Sequence, residues 1–474
     1  MEGTWLPADR RPLIAVLTAN GISVTGDSLT QLGVPWYVLQ STGSPARAGL
    51  VAFCSLFPFA LSAVACGPLI DRVGRRRMSV ISDLACAVSV AAVPVLQLGG
   101  VLRFWMLCTL MASAGIFSAP GTTARQVLVP ALAERAGARL VRVASLYDGA
   151  ARCAAMIGAA LGAVMIAAFG ATHVLLADAA TFGASAGLVA CGLRDMPAAR
   201  PAGPATGAGY GHSLRDGFRS VLRAPLLLGI CLTTLAAQGL DQGWSSVLLP
   251  DDVRVKFGSV LDLGMLETVF ALCALGGAVL YGAVGHRWRR WPVFTAAFLI
   301  VGMPRFAIAA FTGTVVPLAV MMAIEGLACG TLNPIRSTVV FEIVPDHLRS
   351  PVVSAMTAAS LAAAPFGGLV AGILVARAGL LTTMLAIGCA YLAVTLCPLV
   401  SATWRKADWL WVARHGCAGR TRLECPAHEH SLIVTWNGTD RRNIGPHRRS
   451  RSANPARLGR GWPALARRAR AGRP

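Results

Sequence analysis

Three polar residues interrupt the first long apolar stretch of the chain. Asp27 lies seven residues after Asn20 and four residues before Gln31, and on a helix these separations put the three side chains on one face. A carboxylate in the hydrocarbon core of a membrane is unfavourable unless it faces a cavity or a partner, and it then marks a proton relay or a cation site. We therefore predict a proton or substrate site at Asp27. The alternative is an aspartate that only forms hydrogen bonds at a helix crossing.

Four further ionisable residues lie in apolar stretches later in the sequence, namely Asp241, Glu267, Arg305 and Glu325. A buried Arg305 requires a carboxylate, which Glu325 or Glu267 could supply. Asp241 is a second candidate for a proton or substrate site. The sequence leaves open whether these residues bind a substrate, couple protons or only pack the helices.

Residues typical of metal centres and nucleotide sites are sparse. Cys417, Cys425, His428 and His430 have a spacing that matches no regular zinc site. Most other cysteines lie in apolar stretches, where they act as small packing residues. The sequence contains no phosphate-binding glycine loop. We predict that the protein is not an enzyme and holds neither a cofactor nor a metal.

The composition indicates the elements that position these residues. Of 474 residues, 55% are hydrophobic and 14% are charged, against about 25% charged in soluble domains. We expect an all-α integral membrane protein, because about 20 apolar residues in a helix cross the hydrocarbon core. The twelve predicted spans are Leu13–Leu39, Ala48–Ala65, Met78–Gln97, Phe104–Val127, Ala144–Phe169, Val174–Cys191, Ala224–Leu249, Leu261–Val284, Trp291–Phe311, Val315–Val340, Val352–Ala376 and Leu380–Val400.

A short basic hairpin, Gly67–Ser79, joins the second and third spans. Arginines are concentrated in alternate loops, and the positive-inside rule then places this hairpin and both chain termini in the cytoplasm. Gly67 is expected to let two helices approach closely, and Gly74 to permit a sharp turn. The hairpin also contains Asp71, Arg72, Arg75 and Arg76.

Features of the first half recur in the second half at a near-constant offset. Asp27 and Pro35, for example, recur as Asp241 and Pro250. Parallel six-helix repeats of this kind place a substrate cavity at the interface of the halves, near the middle of the membrane. The predicted division is a six-helix bundle at 1–193, a cytoplasmic linker at 194–223, a second six-helix bundle at 224–400 and a basic cytoplasmic tail at 401–474.

The tail differs in character from the rest of the chain. It is rich in Arg, Gly and Pro and lacks a helical apolar period, so we predict that it is disordered. Much of the formal net charge of +21 lies in this tail and in the basic loops, so the charge does not predict a nucleic-acid partner. The tail could contact anionic lipid, or it could be a frameshifted product without function.

The hairpin resembles the signature loop of the major facilitator superfamily. The family pattern Gly-x-Leu-x-Asp-Arg-x-Gly-Arg-Arg/Lys is matched from Gly67 to Arg76. Residues 22–27, 42–44 and 124–130 are similar to the group of facilitators that contains macrolide-efflux proteins and the enterobactin exporter. The resemblance covers residues 13 to 400 and implies the major facilitator fold. It also implies a cytoplasmic gate, which consists of Gly67, Asp71, Arg72, Gly74, Arg75 and Arg76. In this gate Asp71 is expected to meet the positive end of the eleventh span when the transporter is open to the outside, with Ser350-Pro351 opening that helix.

Two features depart from the family pattern. The fifth span has Gly158-Ala-Ala-Leu-Gly162-Ala where the antiporter motif reads Gly-Pro-x-x-Gly-Gly, and this spacing predicts close helix packing. The arginine expected midway along the fourth helix is missing from residues 106–117. We expect Arg125 at the cytoplasmic end of that helix, where it extends to the membrane surface or pairs with Asp71.

These observations predict a secondary active transporter that works by alternating access. The expected activity is export of a small amphipathic compound, such as a drug, a macrolide-like or a siderophore-like molecule, by proton-coupled antiport. The expected partners are the substrate, protons and the lipid bilayer, without nucleic acid, and the protein is expected to be a monomer in the inner (plasma) membrane. The alternatives are a lipid or metabolite facilitator, and a non-transporting membrane scaffold or sensor whose tail binds a partner.

Overall fold

The computed structural model describes residues 9–194, 215, 218–223, 225–285, 290–344 and 346–400. Regular structure within these ranges is entirely helical. The helices are α1 (Arg11–Thr42), α2 (Pro45–Ala65), α3 (Gly67–Val73), α4 (Arg75–Leu98), α5 (Phe104–Arg135), α6 (Leu140–Phe169), α7 (Ala171–Gly192), α8 (Pro225–Gly243), a π-helical turn (Trp244–Leu248), α9 (Leu249–Lys256), α10 (Val260–Val284), α11 (Arg290–Val301), α12 (Met303–Phe311), α13 (Val315–Ile343), α14 (Asp346–Ala378) and α15 (Leu380–Val400).

The twelve predicted spans fall on these helices. Nine helices of the described ranges are long and apolar enough to cross a membrane by length and composition. The remaining three spans are α1, which carries the polar residues of the candidate site, the segment α8 to α9, which contains the π-helical turn, and α15, whose apolar part is shorter. The all-α, twelve-span prediction is confirmed.

Three details differ from the prediction. Helix α5 continues beyond Val127 to Arg135, so Arg125 lies inside the helix and not at its end. Helix α14 begins at Asp346, so Pro351 lies within the helix and does not open it. The ninth span is interrupted at Gly302, whose φ of −76° and ψ of −120° separate α11 from α12.

Close packing within the first half holds the candidate residues of α1 in place. Helix α1 packs against α6 and α7, and α4 packs against α5 and α7. A Cβ atom at Gly158 would lie 2.6 Å from the carbonyl oxygen of Thr25, so only a glycine permits this approach of α6 to α1. The predicted close packing at Gly158 is confirmed.

The second half is built in the same manner. Helix α8 packs against α14, and α13 packs against α10 and α11. Apolar side chains of α8 to α15 supply most of the largest buried cluster, with Trp244, Phe306 and Tyr391 among its members, and residues of α1, α6 and α7 of the first half complete it. These aromatic residues surround the charged group described below.

The two halves meet near one end of the bundle. We call the end that carries α3 the hairpin end, and the end where α1 turns into α2 the far end. Towards the far end, α2 packs against α14 and α6 packs against α10. A Cβ atom at Gly49 would lie 2.4 Å from the carbonyl oxygen of Gly368, and one at Gly264 would lie 2.0 Å from the Cβ of Ala163. Small residues therefore bring the backbones of the two halves into contact at the far end.

Candidate functional site

A cavity of about 420 Å³ lies between the two halves. Its walls come from α1, α2, α5 and α6 of the first half and from α8, the π-helical turn, α9 and α10 of the second half. We call it the central cavity. The polar residues in its lining are Ser28, Thr30, Gln31, Ser55, Gln242, Ser245, Ser246 and Glu267, and the other lining residues are apolar, including Met111, Met156 and Phe270.

Among the residues that the structure describes, Glu267 is the one ionisable side chain in the lining of the central cavity. It lies on α10 and is half-buried. Within the part of the chain that the structure describes, its carboxylate takes part in no hydrogen bond and no ion pair. When it is ionised, this carboxylate adds a negative charge to a space that is otherwise lined by apolar, hydroxyl and amide side chains.

A second pocket of about 190 Å³ adjoins the central cavity in the second half. We call it the side pocket. The two spaces share Gln242, Ser245, Glu267 and Phe270. Asp241, Arg305 and Glu325 complete the charged part of its lining, so the structure brings together all four ionisable residues predicted in the second half.

The guanidinium of Arg305 occupies the centre of this charged group. It donates to Oε1 of Glu325 at 2.6 Å and to Oδ1 of Asp241. Glu267 does not pair with Arg305. Of the two partners that the sequence offered for this arginine, Glu325 is therefore the one that forms the ion pair. The side chains of Arg305 and Glu325 are 4% and 2% exposed, whereas that of Asp241 is 38% exposed.

Three aromatic rings also surround Arg305. Its guanidinium carbon lies 4.7 Å from the ring centroid of Phe306, 5.1 Å from that of Tyr391 and 5.4 Å from that of Trp244. Distances below about 6 Å allow cation–π attraction. The glycine at position 302 contributes to this arrangement, because a Cβ atom there would lie 3.0 Å from Tyr391 Cδ1.

The first half contains a separate buried ion pair. Arg125 Nη1 donates to both carboxylate oxygens of Asp83, at 2.7 and 2.8 Å. Ser23 Oγ accepts from the other terminal nitrogen at 3.1 Å, and Ser185 Oγ donates to Asp83 at 2.7 Å. The side chains of Arg125 and Asp83 are 1% and 3% exposed. The prediction that Arg125 extends to the membrane surface or pairs with Asp71 was therefore wrong, and the fourth span does contain a buried arginine.

Asp27 lies beside this ion pair. The charged groups that act on it are Asp178, Arg125 and Asp83. Asp178 accepts hydrogen bonds from Thr30 and from Thr181, whereas the Asp27 carboxylate forms none with any described residue. Asp27 is half-buried, and its neighbours Ser28 and Thr30 line the central cavity.

The other two polar residues predicted on this face have different positions. The amide oxygen of Asn20 accepts a hydrogen bond of 2.8 Å from the hydroxyl of Tyr147, and Asn20 is buried. Gln31 is exposed to the central cavity and lines it. One helix face thus runs from the packed hairpin-end interior at Asn20 to the cavity wall at Gln31.

The hairpin residues have distinct environments. Asp71 and Arg72 are exposed. Arg76 donates to the carbonyl oxygen of Ala190 at 2.6 Å, and Arg75 approaches the carbonyl of Val127 at 3.5 Å; both contacts are within the first half. Gly74 has a φ of 90°, which agrees with the predicted turn. A Cβ atom at Gly67 would meet no atom within 4 Å, so the expected close approach of helices at Gly67 is absent from the described contacts.

The sequence reasoning missed Asp83 and Asp178, and with them the partners of Arg125 and Thr30. The signal was present, since each aspartate is the single charged residue of a predicted span, Met78–Gln97 and Val174–Cys191 respectively. The rule applied to Asp27 applies equally to both. The aromatic partners Trp244 and Tyr391 gave no comparable signal, because aromatic residues are common in membrane helices.

Membrane-crossing helices arranged in two halves around a shared cavity define a polytopic membrane transporter. The chain belongs to the Major Facilitator Superfamily, whose family model matches residues 16–243 and 231–412. Membership identifies the protein as a transporter and not an enzyme, and it confirms the resemblance inferred from the hairpin.

Several relatives carry the names of drug-efflux proteins. The multidrug efflux pump Tap of Mycolicibacterium fortuitum is 32% identical over 381 residues, which cover 80% of this chain and 92% of that protein. The pump of the same name from Mycobacterium tuberculosis (strain ATCC 25618 / H37Rv) is 31% identical over 388 residues, with 80% and 91% covered. Macrolide efflux protein A of Streptococcus pyogenes is 18% identical over 402 residues, with 83% and 96% covered. The predicted similarity to the macrolide-efflux group is confirmed.

Solved structures share the fold at low sequence identity. The nucleoside transporter NupG has a TM-score of 0.66 and is 12% identical, and the match covers 81% of this chain and 98% of that chain. The D-xylose–proton symporter has a TM-score of 0.63 and is 14% identical, with 81% and 96% covered. These similarities support the fold and carry no information about the substrate.

Proposed function

We propose that this protein exports small amphipathic compounds from the cell by proton-coupled antiport. The observation that carries the proposal is the central cavity, which is walled by both halves of a two-bundle transporter. Its volume of about 420 Å³ lies within the range of about 300 to 1,000 Å³ that is typical of sites for drug-sized molecules. Its mixture of apolar, hydroxyl and amide side chains suits an amphipathic molecule better than a sugar or an ion.

The direction of transport rests on the relatives. Three relatives whose names denote multidrug or macrolide efflux match this chain over nearly their whole length. Export requires a cavity that faces the cytoplasm and then the outside. In the proposed orientation the hairpin end is cytoplasmic, because the arginine-rich loops lie there. Both termini are then cytoplasmic, and the transporter is a monomer of the plasma membrane with bundles at 1–193 and 224–400 joined by the linker at 194–223.

Asp27 is the proposed proton site. Its carboxylate is half-buried, has no hydrogen bond with a described residue, and lies next to cavity-lining residues. A group that exchanges protons needs such a free carboxylate, whereas Asp83 is occupied by Arg125 and Asp178 by two threonines. In this proposal helix α1 couples the two events, because it carries both Asp27 and the cavity-lining residues Ser28 and Thr30, so that substrate and proton favour different states of the transporter.

The experiment measures efflux of several fluorescent cationic dyes from cells that express the intact chain. Efflux should require the protein and should stop when a protonophore collapses the proton gradient. Asp27→Asn should reduce efflux to the rate of cells lacking the protein, because an amide carries no exchangeable carboxyl proton. Asp148→Asn provides the matched control, since Asp148 is an exposed acid of the same half.

The outcomes separate the parts of the proposal. Full efflux by Asp27→Asn would remove Asp27 from the coupling mechanism. Efflux that resists the protonophore would argue against a proton as the coupling ion. If membrane-inserted protein of normal abundance exports no dye, the drug-export proposal fails.

A further inference from the structure

The lining of the side pocket carries more negative than positive charge. Its described lining contains three carboxylates, those of Asp241, Glu267 and Glu325, and one guanidinium, that of Arg305. If all four groups are ionised, the pocket has a formal excess of two negative charges. An excess of this kind in a poorly solvated place is relieved by a bound cation or by protons.

The groups around Arg305 indicate which kind of cation this pocket stabilises. The guanidinium is held by two carboxylates and three aromatic rings. Carboxylates combined with aromatic faces are also the chemistry that binds organic ammonium ions. Arg305 is therefore a cation of the protein itself that occupies one part of a cation-binding environment.

Glu267 is the carboxylate of the side pocket that Arg305 does not bind. Asp241 and Glu325 are both engaged by the guanidinium, whereas Glu267 forms no hydrogen bond or ion pair in the described ranges. It lines both the central cavity and the side pocket. Phe270, one helical turn further along α10, lines both spaces as well.

We propose that the side pocket binds the positively charged head group of a cationic substrate, with Glu267 as its counter-ion. The apolar body of the same molecule then lies in the central cavity. This inference rests on the proposed function, which it deepens by naming the substrate class as organic cations. The volume of about 190 Å³ is below the range of about 300 to 1,000 Å³ for whole drug-sized ligands, so the side pocket accepts a head group and not an entire drug.

Glu267 is in this view a specificity-determining residue. Replacing it with glutamine retains the shape of the site but removes the charge that favours a cation. A neutral compound of the same shape should be unaffected, because its binding depends on the apolar walls. The change thus alters selectivity more than overall affinity.

The test uses the purified full-length protein in detergent and two fluorescent probes that differ by one methyl group and one charge. The probes are an N-methyl styrylpyridinium cation and its uncharged styrylpyridine parent, measured at pH 8. Glu267→Gln should weaken binding of the cation by at least about tenfold, in line with the loss of one partner of a poorly solvated charge pair. Binding of the neutral parent should change less than about twofold, which is the scatter expected of an uninvolved site.

Two further variants sharpen the result. Glu267→Asp should recover part of the preference for the cation, because it restores the charge. Asp262→Asn is the matched control, an acid-to-amide change on the same helix that is outside both linings, and it should leave both affinities unchanged.

The inference is overturned if the wild-type protein shows no preference for the cation, or if Glu267→Gln weakens both probes equally. It is also overturned if the variant binds the cation as tightly as the wild-type protein. Because the assay measures binding, it is independent of transport. A wild-type protein that prefers the cation but exports nothing from cells would refute the proposed function and leave this inference standing.

Discussion

Two buried arginines each join three helices, yet they differ in what surrounds them. Arg125 on α5 binds Asp83 on α4 and Ser23 on α1, and both charged side chains are at most 3% exposed. Arg305 on α12 binds Glu325 on α13 and Asp241 on α8, and Asp241 is 38% exposed. The first ion pair is sealed inside one bundle, whereas the second borders a pocket. We therefore propose that Arg125 serves stability and that Arg305 belongs to the proposed substrate region.

Asp83→Asn tests the structural role of the first pair. Removing one partner leaves the Arg125 charge buried and incompletely paired, which costs about 3 to 5 kcal/mol in comparable cases. We expect a markedly lower apparent melting temperature of the purified protein in detergent. The double variant Asp83→Leu with Arg125→Leu should be more stable than Asp83→Asn, since it leaves no buried charge.

The control for this series is Asp148→Asn, which changes an exposed acid in the same half and should leave the melting temperature unchanged. A different result would contradict the assignment: if Asp83→Asn melts like the wild-type protein but no longer exports dye, the pair belongs to the transport mechanism.

At the scale of helices, small residues determine how closely the two halves approach. The Gly49 position of α2 lies against the backbone of Gly368 on α14, and the rings of Phe53, Phe57 and Phe366 pack beside this contact, with centroid distances of 5.1 to 6.2 Å. We call this contact of α2 with α14 the seam. Because glycines have no side chains that interlock, the two helices can approach closely here and can also move apart. Closure of the far end therefore depends on the absence of side chains at the seam.

Gly49→Val tests this dependence. Its Cβ would lie 2.4 Å from a backbone oxygen of α14, so α2 and α14 must move apart and the state with an open far end becomes more populated. Ser245→Cys places a reporter thiol in the cavity wall. An impermeant maleimide added outside the cells should label this thiol faster when Gly49→Val is present.

The labelling of native cysteines is measured in each protein without Ser245→Cys and is then subtracted. The matched substitution is Gly183→Val on α7, where a Cβ meets no atom within 4 Å, and it should not change the labelling rate. Equal rates for Gly49→Val and the parent would show that this seam does not control access from the far end.

The helices also show which features of the structure could be predicted from the sequence. Spans could be predicted because about 20 apolar residues are needed to cross the membrane, whatever the helix packs against. The π-helical turn at Trp244–Leu248 could not, because the prediction identified apolar spans and not helix types. The break at Gly302 has a local signal that the prediction missed, since Pro304 lies two residues later, in the first turn of α12. The pairing of charged residues could not be predicted either. The sequence shows that Asp83 is an acid within a membrane span, but its partner is 42 positions away on another helix.

For the whole molecule, the relation between the two ends defines the conformational state. The halves touch towards the far end. At the hairpin end, α3 packs against α2, α4 and α5 of its own half, and Asp71 is exposed. In the proposed orientation this is a state closed to the outside, and a latch at Asp71 would act only in the opposite state.

Asp71→Asn should therefore stabilise the observed state relative to its alternative. In the alternative state the Asp71 carboxylate would meet the amino end of α14, which begins at Asp346. A charge at a helix terminus contributes about 0.3 to 1 kcal/mol, so its loss should shift the ratio of the two states by up to about fivefold. In inside-out vesicles, Ser245→Cys should be labelled faster with Asp71→Asn than without it, and dye export should slow. Asp148→Asn, also an exposed acid of the first half, should have neither effect. An unchanged labelling rate with Asp71→Asn would contradict the latch. The hairpin would then determine only the orientation of the chain in the membrane, a role that its arginines explain.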